Sequence, residues 1–335
     1  MELTSEPQLS SGGPFGVSDP LHCDFAMPLR ARYFPMGFPV DLETNSPELL
    51  SAAADLWSSF PPLADTPPVT LRVAVGGRST VEPRASLPRG QEHLISIIHS
   101  PENFAVSDLS GGFGFAWLTQ DVAADRAYCR YYFLEPLVYV TLTALHVTPL
   151  HASCIALNDR AVVLCGDSGA GKTSLAYACA RRGWQYLADD AAHIVRSSHD
   201  HSVVGRPYTI RFRESARWLF PELNRFTASR RPSGKIDFEI ETHELGLSIA
   251  LKCRASHIVF LRREHSSAAA HLRPFPREEA ERRLAQVICF GNERIRSEQR
   301  ESIRRFVTLP ISELIYGDIE SAELALRSLA TDVSR

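Results

Sequence analysis

The sequence lacks three features that would each place it in a particular class of protein. No apolar run is long enough to cross a bilayer, and the most apolar stretch, 137–147, is predicted to be a buried helix, so no membrane partner is expected. The seven cysteines include no C-x-x-C pair, which favours a reduced, cytoplasmic protein without a signal peptide. A net charge of −3 argues against nucleic acid as the main partner.

The chain is long enough for two domains. Of its 335 residues, 44% are hydrophobic and 22% are charged, as in an ordinary globular protein. Residues 1–27 are rich in Ser, Gly and Pro and are predicted to be flexible. Residues 28–148 are predicted to form an N-terminal α/β domain whose expected role is recognition or oligomerisation. Residues 149–335 are predicted to form a second domain, which contains the chemical motifs of the chain.

A glycine-rich loop lies near the middle of the chain. Residues 166–173 read Gly-Asp-Ser-Gly-Ala-Gly-Lys-Thr and fill every fixed position of the pattern G-x-x-x-x-G-K-[ST]. An apolar run, 161–165, precedes the loop and a helical pattern, 174–182, follows it, which is the context of a P-loop. In such a loop the backbone N–H groups converge on phosphate, the lysine reaches the outer phosphates and the threonine binds Mg²⁺. The predicted nucleotide-binding residues are Gly166, Asp167, Ser168, Gly169, Ala170, Gly171, Lys172, Thr173 and Ser174.

Two adjacent aspartates end the next predicted strand. Ten helical residues after the loop would run about 15 Å away from it, and the five residues 184–188 would run about 16 Å back as a strand. Asp189 and Asp190 are therefore predicted to return to the level of the phosphates. There one carboxylate could hold Mg²⁺ and the other could accept a proton from a hydroxyl. The alternative is a solvated acidic turn, which we disfavour because the pair ends an apolar strand.

A histidine precedes the strands that lead into the loop. His151 lies two residues before a predicted strand, 153–157. The turn Asn158-Asp159 joins this strand to the one before the P-loop. A hairpin of this kind would place His151 close to the loop. We expect His151 to orient or tune Asp189. A purely structural histidine is the alternative, and the sequence does not decide between the two.

Basic residues after the aspartates are candidates for phosphate contacts. The alternating segment 208–213 is predicted to be a half-buried strand with Arg211 and Arg213 on one face. A mobile basic loop is predicted after it and contains Arg230 and Lys235. Phosphoryl transfer needs cations to balance developing charge, often from a closing loop, so we expect at least one of the four to contact phosphate. For each of them alone, a solvated surface position is the alternative.

Part of the second domain resembles the catalytic core of HPr kinase/phosphorylase. That family has a histidine-led strand, a glycine-rich loop ending in Gly-Lys-Ser/Thr, an Arg-Gly turn and an Ala-Asp-Asp strand end. The matching pieces here are His151, the loop 166–173, Arg182-Gly183 and the strand end 188–190. The short gap between the loop and the acidic pair is typical of the family. The resemblance implies an α/β fold with a P-loop kinase core of the HPr kinase/phosphoenolpyruvate carboxykinase type, preceded here by an N-terminal α/β domain.

The resemblance implies a role for each matched residue. Lys172 would contact the β- and γ-phosphates, and Thr173 and Asp190 would bind Mg²⁺. Asp189 would be the general base for the acceptor hydroxyl, with His151 supporting it. The implied activity is that of an ATP- and Mg²⁺-dependent kinase acting on a serine or threonine of a peptide or small protein. The family's hexamers imply a homo-oligomer.

One part of the family pattern is missing. The second family signature, similar to Glu-Ile-Arg-Gly-Leu-Gly, has no intact counterpart, and the nearest segment, 240–247, lacks the arginine. This departure leaves a phosphorylase reaction and the substrate HPr unsupported. The chain looks more like the divergent HPr kinase-related proteins, some of which modify precursor peptides. A nucleotide-binding regulatory module without kinase activity and a small-molecule kinase are the alternatives, and the sequence does not distinguish ATP from GTP.

Overall fold

The computed structural model describes residues 26–84, 86–232, 234, 236–264 and 269–331. Within these ranges the chain forms two units that each contain helices and a large sheet, together with a small third sheet, so the predicted α/β class is confirmed. Of the segment predicted to be flexible, 1–27, all but the last two residues lie outside the described part. No described helix combines the length and hydropathy that crossing a membrane requires.

The N-terminal unit is a seven-stranded mixed sheet with helices packed against it. Its first helix begins after Ser46, whose side chain accepts a hydrogen bond from the backbone N–H of Leu49 at 3.2 Å, and Pro47 occupies the first turn. A π-helical turn, Arg130–Leu134, precedes its last helix. The elements are β1 (Leu29–Tyr33), β2 (Val40–Thr44), α1 (Pro47–Trp57), β3 (Val69–Val75), β4 (Arg89–Gln91), β5 (Leu94–Ser100), β6 (Asn103–Asp108), β7 (Phe113–Leu118), α2 (Gln120–Ala124), α3 (Arg126–Cys129) and α4 (Glu135–Leu145).

The strand order of the first sheet is β1-β2-β3-β7-β6-β5-β4, with parallel pairs at β2/β3 and β3/β7. Alternate residues of β2 and β3, such as Leu42 and Leu71, face one core in which Trp57 of α1 is fully buried. The buried helix predicted within 137–147 is confirmed as α4, which packs against β3, β6 and β7. Val195 and Val204 lie in the same core, so it continues into the second unit.

The C-terminal unit contains a nine-stranded mixed sheet and the small three-stranded sheet. The strand before the glycine-rich loop and the helix after it form as predicted. The elements are β8 (Val147–Leu150), β9 (Ala152–Leu157), β10 (Arg160–Cys165), α5 (Lys172–Arg181), β11 (Gln185–Ala188), β12 (Ala192–Val195), β13 (Ser202–Val204), β14 (Thr209–Phe212), β15 (Ser229–Arg230), β16 (Ile236–Glu241), β17 (Lys252–Arg263), β18 (His271–Pro274), α6 (Arg277–Leu284), α7 (Glu293–Phe306), β19 (Ile311–Tyr316) and α8 (Ile319–Thr331).

The large sheet is covered on both faces. Its order is β11-β9-β10-β17-β13-β12-β8, and β19 joins the second half of β17 with β18 beside it. Val162 and Leu164 of β10 lie in one core with residues of α5 and α8, whereas Ala161 and Val163 lie in another with residues of α6 and α7. A central strand buried on both sides reads as a continuous apolar run, as β10 does.

Three parallel strands position the glycine-rich loop. Strand β17 runs parallel to β10 on one side and to β19 on the other, so the carboxyl ends of all three lie at one edge of the sheet. The loop leaves β10 at this edge, where ligands of open α/β sheets gather. Tyr316, the last residue of β19, donates a hydrogen bond from its hydroxyl to the carbonyl of Ala170 at 2.8 Å. The end of β19 therefore supports the loop directly.

The small sheet corrects one prediction. The basic segment predicted as a mobile loop contains β15, in which Ser229 and Arg230 pair with β16. The sheet order is β14-β16-β15, so the described part of this segment includes an edge strand. Backbone pairing with β16 explains the difference, because it satisfies hydrogen bonds that a free loop would leave to water.

Candidate active site

The glycine-rich loop closes on the first turn of α5. Gly171 precedes that turn with a φ of 92°, and a Cβ at this position would collide with the hydroxyl of Tyr316. Gly169 has a φ of 88° and faces open space. Glycine adopts these left-handed conformations without strain. The loop backbone can therefore approach a ligand closely at the N-terminus of a ten-residue helix, which is the arrangement that binds phosphate.

Lys172 lies across the base of the loop. It is only 7% exposed. Its Nζ donates to the carbonyl of Gly166 at 2.8 Å and to that of Asp167 at 3.4 Å, and it lies 3.2 Å from Nε2 of His151. A cation held by loop carbonyls in this way can exchange them for phosphate oxygens, which form stronger charge-assisted hydrogen bonds.

The predicted hairpin places His151 beside the loop. Asn158 and Asp159 have φ values of 51° and 59°, as the two central residues of a type I′ turn require. The antiparallel register of β9 and β10 pairs Ala152 with Cys165. His151 is therefore level with the first residue of the loop, and this sequence-based expectation of its position is confirmed.

Asp189 faces the first turn of α5. Its Oδ1 accepts a hydrogen bond from Oγ1 of Thr173 at 2.5 Å, and its Oδ2 accepts one from the backbone N–H of Arg211 at 3.3 Å. Burial raises the pKa of Asp189 to about 6, although these hydrogen bonds oppose the shift. A threonine of the loop paired with a strand-end aspartate is how P-loop NTPases hold Mg²⁺. A cation here would offset the cost of burying the carboxylate.

The side chain of Asp190 is largely exposed. Its Oδ1 lies 3.1 Å from Nδ1 of His151, whose other ring nitrogen faces Lys172. The sequence-based expectation paired His151 with Asp189, whereas the contact is with Asp190. Likewise, Thr173 contacts Asp189 rather than the expected Asp190. Strand β11 ends at Ala188 after an irregularity in its pairing with β9, and both aspartates lie in the bend that follows, so regular strand spacing does not set which of them faces the loop.

The four basic candidates are not brought together. Arg213 reaches the loop, where its Nη2 donates to Oγ of Ser168 at 2.9 Å. Arg211 instead lines a cavity beside the aspartates. Arg230 is exposed on β15, and Lys235 lies outside the described residues. Of the arginines, Arg213 is the one placed against the phosphate-binding loop.

A cavity of about 630 Å³ lies between the two units, with both aspartates on its wall. It contains a chain of ion pairs that sequence reasoning missed, because no motif marks it. One local irregularity near it is the π-helical turn that begins at Arg130, a feature common at functional sites. Burial would raise the pKa of Glu239, but the guanidinium groups of Arg211 and Arg130 hold it below its ordinary value. The ion pairs are Arg206–Glu135 at 3.6 Å, Arg130–Glu135 at 2.8 Å, Arg130–Glu239 at 2.8 Å and Arg211–Glu239 at 2.9 Å.

Arg206 reaches the cavity through a close approach of two backbones. Gly205 lies against the end of β11, where a Cβ would overlap the carbonyl of Leu187 and come within 3.0 Å of the Cβ of Ala188. Only glycine allows this approach. The contact holds Arg206 next to the strand end that carries Asp189.

We expect Gly205→Ala to lower the free energy of unfolding by about 2 kcal/mol, because the added methyl group must displace backbone rather than a flexible side chain. Urea denaturation would measure the change. Gly76→Ala is the control, since a Cβ there would lie 3.2 Å from the ring of Trp117. A cost for Gly205→Ala no larger than that of the control would argue against the close approach.

The residues present fit a nucleotide with Mg²⁺. The loop, Lys172 and Arg213 offer donors to phosphate oxygens, whereas Thr173 and Asp189 offer oxygen ligands to a metal. In the part of the chain that the structure describes, no three His, Cys, Asp or Glu side chains converge as a metal site. This arrangement suits Mg²⁺, which is usually bound by one or two protein oxygens together with phosphate and water.

Comparison with known proteins finds likenesses among solved structures. No family model matches the chain, and no curated protein sequence matches it. Among solved structures, the chain is similar to the HPr(Ser) kinase/phosphatase from Coxiella burnetii, with 11% sequence identity and a TM-score of 0.29. The match covers 54% of this chain and 95% of that one. A TM-score this low does not establish a common fold.

Proposed function

We propose that this protein is an ATP- and Mg²⁺-dependent kinase that transfers the γ-phosphoryl group to a hydroxyl. One set of contacts carries the proposal: His151 contacts both Lys172 and Asp190, and Thr173 pairs with Asp189. Phosphoryl transfer needs a phosphate cradle, a metal site and a proton acceptor close to one another. These residues supply all three.

The metal side of the site consists of Thr173 and Asp189. When bound, Mg²⁺–ATP supplies the γ-phosphoryl group, whose bond to ADP breaks as its bond to the acceptor oxygen forms. Thr173 and Asp189 would hold the metal, while Lys172 and Arg213 would balance charge on the phosphates. The hydrogen bond of 2.5 Å between Thr173 and Asp189 supports this assignment.

The acid–base side consists of His151 and Asp190. Asp190 would take the proton of the acceptor hydroxyl and, because its side chain is 71% exposed, would pass that proton to water. His151 would orient the Asp190 carboxylate from 3.1 Å while its other nitrogen contacts Lys172. These roles exchange Asp189 and Asp190 relative to those that the resemblance implies.

The acceptor belongs to one of two classes. The sequence favours a serine or threonine of a peptide or small protein. The cavity beside the aspartates, at about 630 Å³, has the volume of a typical small-molecule site and supports a small-molecule acceptor. In both cases the acceptor hydroxyl would approach Asp190 from the cavity.

Label transfer tests the proposed function. The purified protein would be incubated with γ-labelled ATP, Mg²⁺ and a lysate of the source cells, beside a Lys172→Met variant of similar side-chain length. We expect the wild type to label an acceptor and the variant to lose the label, because it lacks the ammonium that contacts phosphate. Nucleotide binding without any transfer by the wild type would overturn the kinase and favour a nucleotide-gated binding module.

A further inference from the structure

The cavity between the two units has charged walls that the transfer reaction itself does not require. Arg130 and Glu135 come from the N-terminal unit, whereas Arg206, Arg211 and Glu239 come from the C-terminal unit. All five belong to the chain of ion pairs across the cavity. The cavity is therefore a polar cleft formed jointly by both units.

This chain of ion pairs carries an excess positive charge. Its three guanidinium groups share two carboxylates, those of Glu135 and Glu239. Four further carboxylates line the cavity and have other contacts: Asp55 with Arg126 at 2.6 Å, Glu241 with His243 at 3.0 Å, Asp190 with His151 at 3.1 Å and Asp189 with Thr173 at 2.5 Å. Among the ion pairs of the described residues, Arg206 contacts none of these four, so an anionic group on a ligand would find a guanidinium that shares its carboxylate partner, Glu135, with Arg130.

Arg206 is the cation best placed for that group. Its ion pair with Glu135 is long, at 3.6 Å, whereas Arg130 and Arg211 lie within 2.9 Å of their carboxylates. Its guanidinium lies 4.4 Å from the centre of the Tyr139 ring, so it is held in place by stacking rather than by a close acidic partner. Its five N–H donors suit bidentate binding of a carboxylate.

Arg206 also lies near the reacting groups. The close approach at Gly205 packs this segment against Leu187 and Ala188, immediately before the two aspartates. Arg206, Asp189 and Asp190 line the same cavity. A compact molecule can therefore place an anionic group on Arg206 and a hydroxyl at Asp190.

We propose that the phosphoryl acceptor is a small hydroxy acid whose carboxylate binds Arg206 and whose hydroxyl faces Asp190. This inference rests on the proposed kinase function and names its substrate class. The hydroxyl proton passes to Asp190, the acceptor oxygen bonds to the γ-phosphorus, and ADP leaves. The products are a phosphorylated acid and ADP.

The experiment separates the small-molecule fraction of a lysate of the source cells from its protein fraction. Each is incubated with the wild-type protein, γ-labelled ATP and Mg²⁺. We expect label in a small molecule. When this molecule is followed by its mass, it should stay on an anion-exchange resin even after phosphatase has removed the labelled phosphate. With that molecule purified, Arg206→Met should raise its KM about ten- to hundredfold, because a charge-assisted hydrogen bond is lost, with little change in kcat. Arg206→Lys, which keeps the charge, should fall between.

Arg282→Met is the matched control, since Arg282 is exposed on α6 and contacts Glu279. The KM of Arg282→Met should equal that of the wild type. Thermal melts and ATP binding would confirm that the Arg206 variants fold. Label in the protein fraction alone would keep the kinase but overturn the small acid acceptor. An acceptor that is neutral after phosphatase treatment, or an unchanged KM for Arg206→Met, would overturn it as well. No label in either fraction would count against the kinase itself.

Discussion

Replacing Asp190 by asparagine is expected to slow phosphoryl transfer about 10²- to 10⁴-fold, the range typical of a lost general base. The amide keeps the size of the side chain but cannot take the proton of the acceptor hydroxyl. Binding of Mg²⁺–ATP should be unchanged, because Asp190 is exposed and contacts His151 rather than Thr173. Single-turnover transfer rates and calorimetric titration with ATP would measure the two quantities separately.

Asp189→Asn is the matched variant, since it makes the same chemical change one residue away. Asp189 accepts the hydrogen bond of Thr173, so its amide should weaken ATP binding in the presence of Mg²⁺ and leave binding in EDTA unchanged. The two variants should thus fail at different steps. If Asp189→Asn binds Mg²⁺–ATP normally and loses transfer while Asp190→Asn loses metal-dependent binding, the roles implied by the resemblance are correct.

The glycine-rich loop and the two strands that precede it, β9 and β10, could be predicted because the sequence patterns that indicate them are local. Glycines, lysine and threonine at fixed spacing between an apolar run and a helical pattern define a P-loop within one short segment. The Asn158-Asp159 turn likewise fixed the hairpin and hence the position of His151. The expected lengths of the helix and strand after the loop predicted that the aspartates return to it. Each of these inferences used only neighbouring residues and known element dimensions.

The pairing of the two aspartates could not be predicted in the same way. Both lie in the bend that follows β11, and the pairing of β11 with β9 shifts just before this bend, at Tyr186/Ala188. An irregularity of this kind changes which side of the sheet a residue faces. Pattern and spacing alone therefore placed the pair correctly but left the partner of each carboxylate open.

The cleft depended on contacts between distant parts of the chain. Arg130 lies in a helix of the first unit and Arg206 follows a strand of the second, and neither stands in a recognisable motif. Strand β19 was also missed, because its first three residues are half-buried and its last three are buried, so it lacks clean alternation. Tyr316 at its end contacts the loop, so part of the site's support came from an element without a sequence signal.

That contact leads to the second large effect: Gly171→Ala should weaken ATP binding about a hundredfold or more. Alanine at a φ of 92° costs about 1–3 kcal/mol in backbone strain. The added Cβ would also collide with the hydroxyl of Tyr316, and relieving that overlap costs about 1–3 kcal/mol more. Since about 1.4 kcal/mol is a tenfold change in affinity, the two costs together set the expected loss. Calorimetric titration with Mg²⁺–ATP would measure it.

Gly169→Ala separates the two costs, because Gly169 has a similar φ of 88° but a Cβ there meets nothing within 4 Å. It should therefore show the strain alone, about a tenfold loss. Tyr316→Phe removes the hydroxyl with which the new Cβ collides, so adding it to Gly171→Ala should recover part of the affinity. Tyr316→Phe alone is measured as well, because it loses the hydrogen bond to Ala170. The affinity that the double variant recovers must be larger than the change in affinity that this single substitution causes. If Gly171→Ala is no worse than Gly169→Ala, or if Tyr316→Phe gives no recovery, then Tyr316 does not shape the loop when ATP is bound.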